Sequence, residues 1–202
     1  MRFSEITLQL LAFRGLALLI IAGVHGAVLA GAAVLLGDRG PKYDGRLTLL
    51  PGGHLDLAGS VATLLFGLGW AKPVAVEARR LRFGQVGIVL VVLAGFVALM
   101  VLAAVFTLLV RPALTTLPHT AALATAAFLR AAGSLSIWFA LLSLIPLPPL
   151  AGGMVLQSFG FRIPPTAQWL PVVLMFVAVA TGVARDWLGP GFRWLAGIVI
   201  GG

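Results

Sequence analysis

Between Val86 and Val110 the sequence runs for 25 residues without a single charged side chain. A run of that length is enough to cross the hydrocarbon core of a bilayer as a helix, at about 20 residues per span. It is the feature that most limits what this chain can become, and the composition agrees with it. Of the 202 residues, 60% are hydrophobic and only 10% charged, where a soluble domain carries about a quarter charged. An ordinary soluble fold and a disordered tail are both excluded. The expected fold class is an all-α polytopic membrane protein with about four to six transmembrane helices, at roughly 20 residues per span.

Further apolar runs fill in the layout. A span is expected at 16–36, preceded by an amphipathic start with Phe3, Ile6, Leu10 and Phe13. This first run is read as a retained span rather than a cleaved signal. Further spans are expected over 121–145 and 169–184, with the tail 192–200 lying at the interface beside Trp187 and Trp194. The run Leu57–Ala71 is too short for a comfortable crossing, and Arg46-Leu47-Thr48-Leu49 alternates like a short strand. A re-entrant segment with a short β element is therefore expected near residues 45–72. The chain reads as one integral membrane domain over 1–202, with a core at about 16–155 and an extra C-terminal helix at about 167–185.

The net charge is +8, from 14 Lys and Arg against 6 Asp and Glu. No basic run is longer than Arg79-Arg80, so headgroup contact and topology explain the charge and no nucleic-acid partner is expected. Arg39, Lys42, Arg46, Lys72, Arg79, Arg80 and Arg82 flank Leu57–Ala71 on both sides. If that run re-enters, both basic loops share one face, the cytoplasmic one. There are no cysteines, so disulfides and thiolate metal sites are absent.

His25 lies within the first span, where an imidazole is costly and invites a role. Taken in order with Gly45-Arg46-Leu47-Thr48-Leu49, His54-Leu55-Asp56, Phe66-Gly67-Leu68-Gly69-Trp70-Ala71-Lys72-Pro73-Val74 and Ile145-Pro146-Leu147-Pro148-Pro149-Leu150-Ala151-Gly152-Gly153, it forms a pattern. The pattern resembles the site-2 protease family of intramembrane zinc metalloproteases, in the short bacterial form without a PDZ domain. That resemblance implies residence in the bacterial inner membrane. It also implies a zinc held by two histidines of an H-E-x-x-H helix and a later aspartate, with the glutamate as general base for the metal-bound water.

Set against that signature, His25 is kept, while Gly26 stands for the glutamate, Leu29 for the second histidine and Ala151 for the aspartate. Ser143 replaces the family's asparagine, and Phe96-Val97-Ala98-Leu99 follows Gly95 where the family has Pro-x-x-Asn. Zinc is thus the family's cofactor, but its ligands are missing, and no cofactor is expected. The leading expectation is a chain that is not an enzyme: a pseudoprotease acting as a structural or accessory subunit, or a regulator, in a larger membrane complex. Its partners are lipids and other transmembrane proteins.

Two alternatives stay open. One is a metalloprotease with a shifted ligand set of His25, His54 and Asp56. The other is a haem- or pigment-binding subunit using His25. The plain reading of Asp56 is a helix N-cap. Gly23, Ala27 and Gly31 recur at four-residue spacing, a face suited to close helix packing or a partner, and Gly152 and Gly153 allow backbones to approach.

Overall fold

A computed structural model describes residues 7–161 and 163–201 of the chain. The part of the amphipathic start before Thr7 lies outside the described residues. The helices in order are α1 (Leu8–Leu36), α2 (Gly40–Tyr43), α3 (Leu57–Phe66), α4 (Gly84–Thr116), α5 (His119–Ser143), α6 (Gly153–Ser158), α7 (Trp169–Ala180) and α8 (Val183–Ala196). Among the described residues there is no strand, and the protein is an all-α polytopic membrane protein.

Three helices, α1, α4 and α5, are long and apolar enough to cross a membrane. The bent pair of α7 with the chain from Val183 to Gly201 could make a fourth. The count therefore stands at the low end of the expected four to six with the bent pair taken as one span, and just below it without that pair. The C-terminal run also divides where one helix was expected to continue to residue 184. Gly182 takes the left-handed conformation (φ 87°), which an L side chain adopts reluctantly, and the axis turns there by 71°.

The three long helices form the frame. α1 starts on a Thr7 cap that accepts from the Leu10 amide and stops at Gly37, whose φ of 119° ends the helix. α5 lies against α4 at Gly133, where a Cβ would make an ordinary van der Waals contact with the Ala103 carbonyl at 3.5 Å. Hydroxyls inside this packing satisfy themselves on their own helix, Thr107 on the Ala103 carbonyl and Ser136 on that of Ala132. Leu18, Ile21, Leu99, Leu135 and Phe139 fill the core between α1, α4 and α5.

Between α1 and α4 the chain folds back along α1 and returns. Leu47 reaches Gly31, the Leu49 carbonyl reaches Gly23, His54 reaches Gly26, and Leu64 reaches Gly15. Overall these contacts run down α1 from near its C-terminus towards its N-terminus, with one step back from Gly23 to Gly26 between Leu49 and His54. The climb back passes an isolated bridge between Leu55 and Ala71, a bond from the Lys72 amide to the His54 carbonyl (2.7 Å), and one from the Glu77 amide to Asp38 (2.8 Å). It closes where the Arg82 amide meets the Leu36 carbonyl at 2.8 Å. Both basic loops thus meet at the same end of α1. The strand expected over Arg46–Leu49 does not form, because this stretch runs along α1 rather than beside another strand. The Thr48 carbonyl is taken by His54.

Candidate functional site

The site is built around His25, which lies about 16 Å along α1 from Leu36 at the usual rise per residue. It is 4% exposed. Phe139 of α5 sets its ring edge-on at 5.7 Å between centroids. Gly95 of α4 leaves room on the other side: a Cβ there would lie 3.0 Å from His25 Nε2 and 2.8 Å from a Leu29 methyl. Leu29 is itself 2% exposed and packs with Val92, Val74 and Ala151.

His25 and Ala151 do come together, as the family signature implies. Both line a void of about 10 Å³ with Trp70, Phe139, Ser143 and Leu150. That is about the volume of one water-sized sphere. The Pro-rich turn delivers Ala151 there through its glycines. A Cβ on Gly152 would lie 2.5 Å from the carbonyl oxygens of Leu144 and Ile145, and one on Gly153 would lie 2.6 Å from the Pro148 nitrogen. Ser143 anchors the turn, its carbonyl accepting from the Gly152 amide at 2.7 Å, while its hydroxyl donates to the Ala140 carbonyl.

His54 is brought to the same place from the re-entrant segment. It is fully buried, and its Nε2 lies 2.8 Å from the Thr48 carbonyl. A carbonyl only accepts, so in the neutral ring Nε2 carries the proton and Nδ1 keeps a lone pair. Both nitrogens of His25, and Nδ1 of His54, have no hydrogen-bond partner among the described residues. Asp56 is occupied elsewhere: its Oδ1 accepts from the Gly59 amide at 2.8 Å as the N-cap of α3. Among the described residues no three His, Cys, Asp or Glu side chains form a group able to hold a metal.

A catalytic zinc needs three protein ligands and an open position. The positions that supply them in the resemblance hold Gly26, Leu29 and Ala151, and they are packed rather than open. The residues present do not fit zinc. They fit a tetrapyrrole no better, since a void of about 10 Å³ is far below the several hundred Å³ that a cofactor-sized ligand fills.

The small face of α1 has its partner within the chain. A Cβ on Gly23 would sit 2.4 Å from the Leu49 carbonyl, and one on Gly31 would lie 3.7 Å from a Leu47 methyl, with Ala27 half-buried between them. Three contributors to the site were not singled out from sequence: the carbonyl of Thr48, the ring of Phe139 and the guanidinium of Arg46. Arg46 was visible only as part of the Gly-Arg-Leu-Thr-Leu string. Its charge suggested a headgroup contact, whereas it is buried.

Fold and site together define a polytopic helical membrane protein with a buried histidine pair at the meeting point of α1, α4, α5 and a re-entrant hairpin. Sequence comparison then supplies the family. The chain is 34% identical over 160 residues to the "Putative zinc metalloprotease YwhC" of Bacillus subtilis (strain 168), covering 78% of this chain and 73% of that protein. It belongs to the family of that metalloprotease. No family model matches the chain, and no solved structure matches it. The relative corrects one expectation drawn from sequence, that the chain is not an enzyme: the protein it resembles carries an enzyme's name, and kinship points to an enzyme family.

Proposed function

We propose that the chain is a site-2 protease-like protein of the bacterial inner membrane that holds a segment of another membrane protein. It does so as an accessory subunit or regulator of a larger membrane complex, and without zinc at His25. The observation that carries this reading is a filled metal position beside an open cleft. The cleft, of about 770 Å³, lies between Pro73 on the return limb of the hairpin and Pro148, Pro149, Gln157 and Val172. It continues into a second space of about 330 Å³ along Val74–Glu77 and Met154. Volumes of this order receive peptide-sized groups, and the lining is mostly apolar with Gln157 and Gln168 as hydrogen-bonding groups.

A photo-crosslinking residue at Val172 tests this in native membranes. One discrete adduct with a membrane protein is expected there and none from Val97, which faces outwards on α4. The reading is overturned if Val172 gives no adduct, or if the chain runs alone and monodisperse at every expression level.

The relative's name favours a second reading, metal-dependent proteolysis through His25 and His54. Metal analysis of the purified protein separates the two. Zinc below about a tenth of an equivalent is expected for the first reading, since two imidazoles fall short of the three ligands a catalytic zinc takes. Stoichiometric zinc and membrane-peptide cleavage, both lost in His25→Ala, would establish the second.

A further inference from the structure

Lys72 carries its charge at an unusual depth. Its amide donates to the His54 carbonyl at 2.7 Å, and the neighbouring Ala71 lines the same void as His25. Lys72 therefore sits level with His25, about 16 Å along α1 from Leu36. α1 has 29 residues and a length of about 43 Å, against a hydrocarbon core of about 30 Å. With the excess shared between its two ends, Lys72 lies about 9 Å inside the core. A lysine stem spans about 6 Å, so snorkelling does not carry the ammonium out. Arg39, Arg80 and Arg82, by contrast, stand beside the end of α1.

The charge has no counterpart in the chain. Lys72 is exposed and forms no ion pair among the described residues, where the ion pairs are those of Arg80 with Asp38 and Glu77. The guanidinium of Arg46 donates to the carbonyls of Lys72 and Pro73 at 2.8 and 3.0 Å. It brings a second cation to the same place, likewise outside any ion pair among the described residues. A cation inside a membrane pairs with a partner or faces a cavity. The cavity here is the cleft of about 770 Å³, whose lining begins one residue on, at Pro73. From there a stem of about 6 Å reaches the mouth of the cleft.

We infer that Lys72 selects what enters the cleft: its ammonium takes a carboxylate carried at mid-depth by the partner's transmembrane segment. This rests on the reading of the cleft proposed above and adds the chemistry of its occupant. Each charge offsets the cost of burying the other, since an aspartate at the centre of a span is about as costly as a lysine. A lipid phosphate belongs at the headgroup level, about 9 Å or more above Lys72. A second copy of this chain is a poor source as well. Among the described residues its helices hold one acidic side chain, Asp186 in the first turn of α8.

Two peptides test the inference on the full-length chain in phosphatidylcholine vesicles, with a photo-crosslinking residue at Val172 across the cleft. Each is a Leu/Ala helix of about 20 residues, one with a central aspartate and the other with asparagine in its place. The aspartate peptide should be captured at least about fivefold more than the asparagine peptide. Lys72→Met removes the charge and should bring that ratio below about two, while Lys72→Arg should keep it. The hydrogen bonds of Lys72 among the described residues are made by its backbone. Both variants should therefore melt within about 2 °C of the parent.

Equal capture of the two peptides by the parent overturns the inference, and so does a preference that survives Lys72→Met. A preference lost in vesicles of equal parts phosphatidylcholine and phosphatidylglycerol overturns it too, because a lipid phosphate would then hold the ammonium. In native membranes the Val172 adduct should fall at least about fivefold in Lys72→Met. An undiminished adduct overturns this inference alone, as does an adduct of the chain with itself. No adduct from the parent overturns the partner reading instead, and the peptide ratio still decides whether Lys72 takes a carboxylate.

Discussion

Arg46 donates from one guanidinium to three carbonyls, those of Gly53, Lys72 and Pro73, the last two at 2.8 and 3.0 Å. It is 8% exposed. One side chain therefore ties the descending limb of the hairpin to the returning limb, directly beside His54. The fork geometry matters, because an ammonium is a point donor that cannot reach three carbonyls in two directions at once. Arg46→Met should destabilise the protein by about 2–4 kcal/mol, the cost of leaving buried acceptors without a charged donor. Arg46→Lys should recover less than half of that. Thermal unfolding of the three proteins in one detergent checks both, and full rescue by lysine would show that charge rather than the fork is what counts. From the sequence the charge of Arg46 was plain but its depth was not. Basic residues on both sides of an apolar run predict a basic face, and six of the seven, Arg39, Lys42, Lys72, Arg79, Arg80 and Arg82, are exposed. The seventh turns inward because the carbonyls of an irregular segment need donors that no ladder supplies.

The re-entrant hairpin is the element that makes the site. Its direction was legible from arithmetic: fifteen apolar residues are too few to cross, and charge on both flanks fits a shared face. Its internal structure was not. Alternation over Arg46–Leu49 suggests a strand, yet alternation records only which side of an extended segment is buried, and here the buried side faces a helix. The glycine spacing on α1 suggests a surface for a partner helix, but spacing says nothing of what approaches, and the segment that lies against Gly23 and Gly31 is Leu47–Leu49 of the same chain. The absence of native cysteines allows a direct test of the topology. Tyr43 is 77% exposed and Phe83 59% exposed, one in each basic loop. Single cysteines at the two positions should react with a membrane-impermeant thiol reagent from the same side of sealed vesicles. A cysteine at Thr116, at the far end of α4, should react from the opposite side. Labelling of positions 43 and 83 from opposite sides would mean that Leu57–Ala71 crosses after all.

At the scale of the whole molecule, three packed clusters divide the work. The α1–α4–α5 core and the cluster around Leu29, Val91 and Ala151 hold the frame and close the histidine site. The third joins Trp70 and Leu68 of the hairpin to Trp138 and Leu142 of α5 and to Met175 and Val179 of α7. Polar and aromatic contacts add to this apolar packing of the C-terminal pair. Arg185 of α8 donates to the Phe66 carbonyl at the end of α3 (3.0 Å) and lies 4.9 Å over the Trp138 ring, which stacks on Phe192 at 4.2 Å. The sequence marked Trp187 and Trp194 as interface aromatics, and both are largely exposed; the arginine between the helices carried no such mark. Because α7 also supplies Val172 to the cleft, the strength of this fastening bears on how the cleft opens. Arg185→Met removes the charge and keeps the length of the side chain, at a cost of about 1–3 kcal/mol for a charged hydrogen bond and its cation–π contact. A loss confined to one cluster should loosen that cluster alone. Amides of α7 and α8 should exchange with deuterium at least about fivefold faster, as a loss of about 1 kcal/mol in local opening implies, while those of α4 and α5 stay as they are. Uniform acceleration over all the helices would mean instead that the C-terminal pair unfolds only with the frame, and that the cleft wall is as rigid as the core behind it.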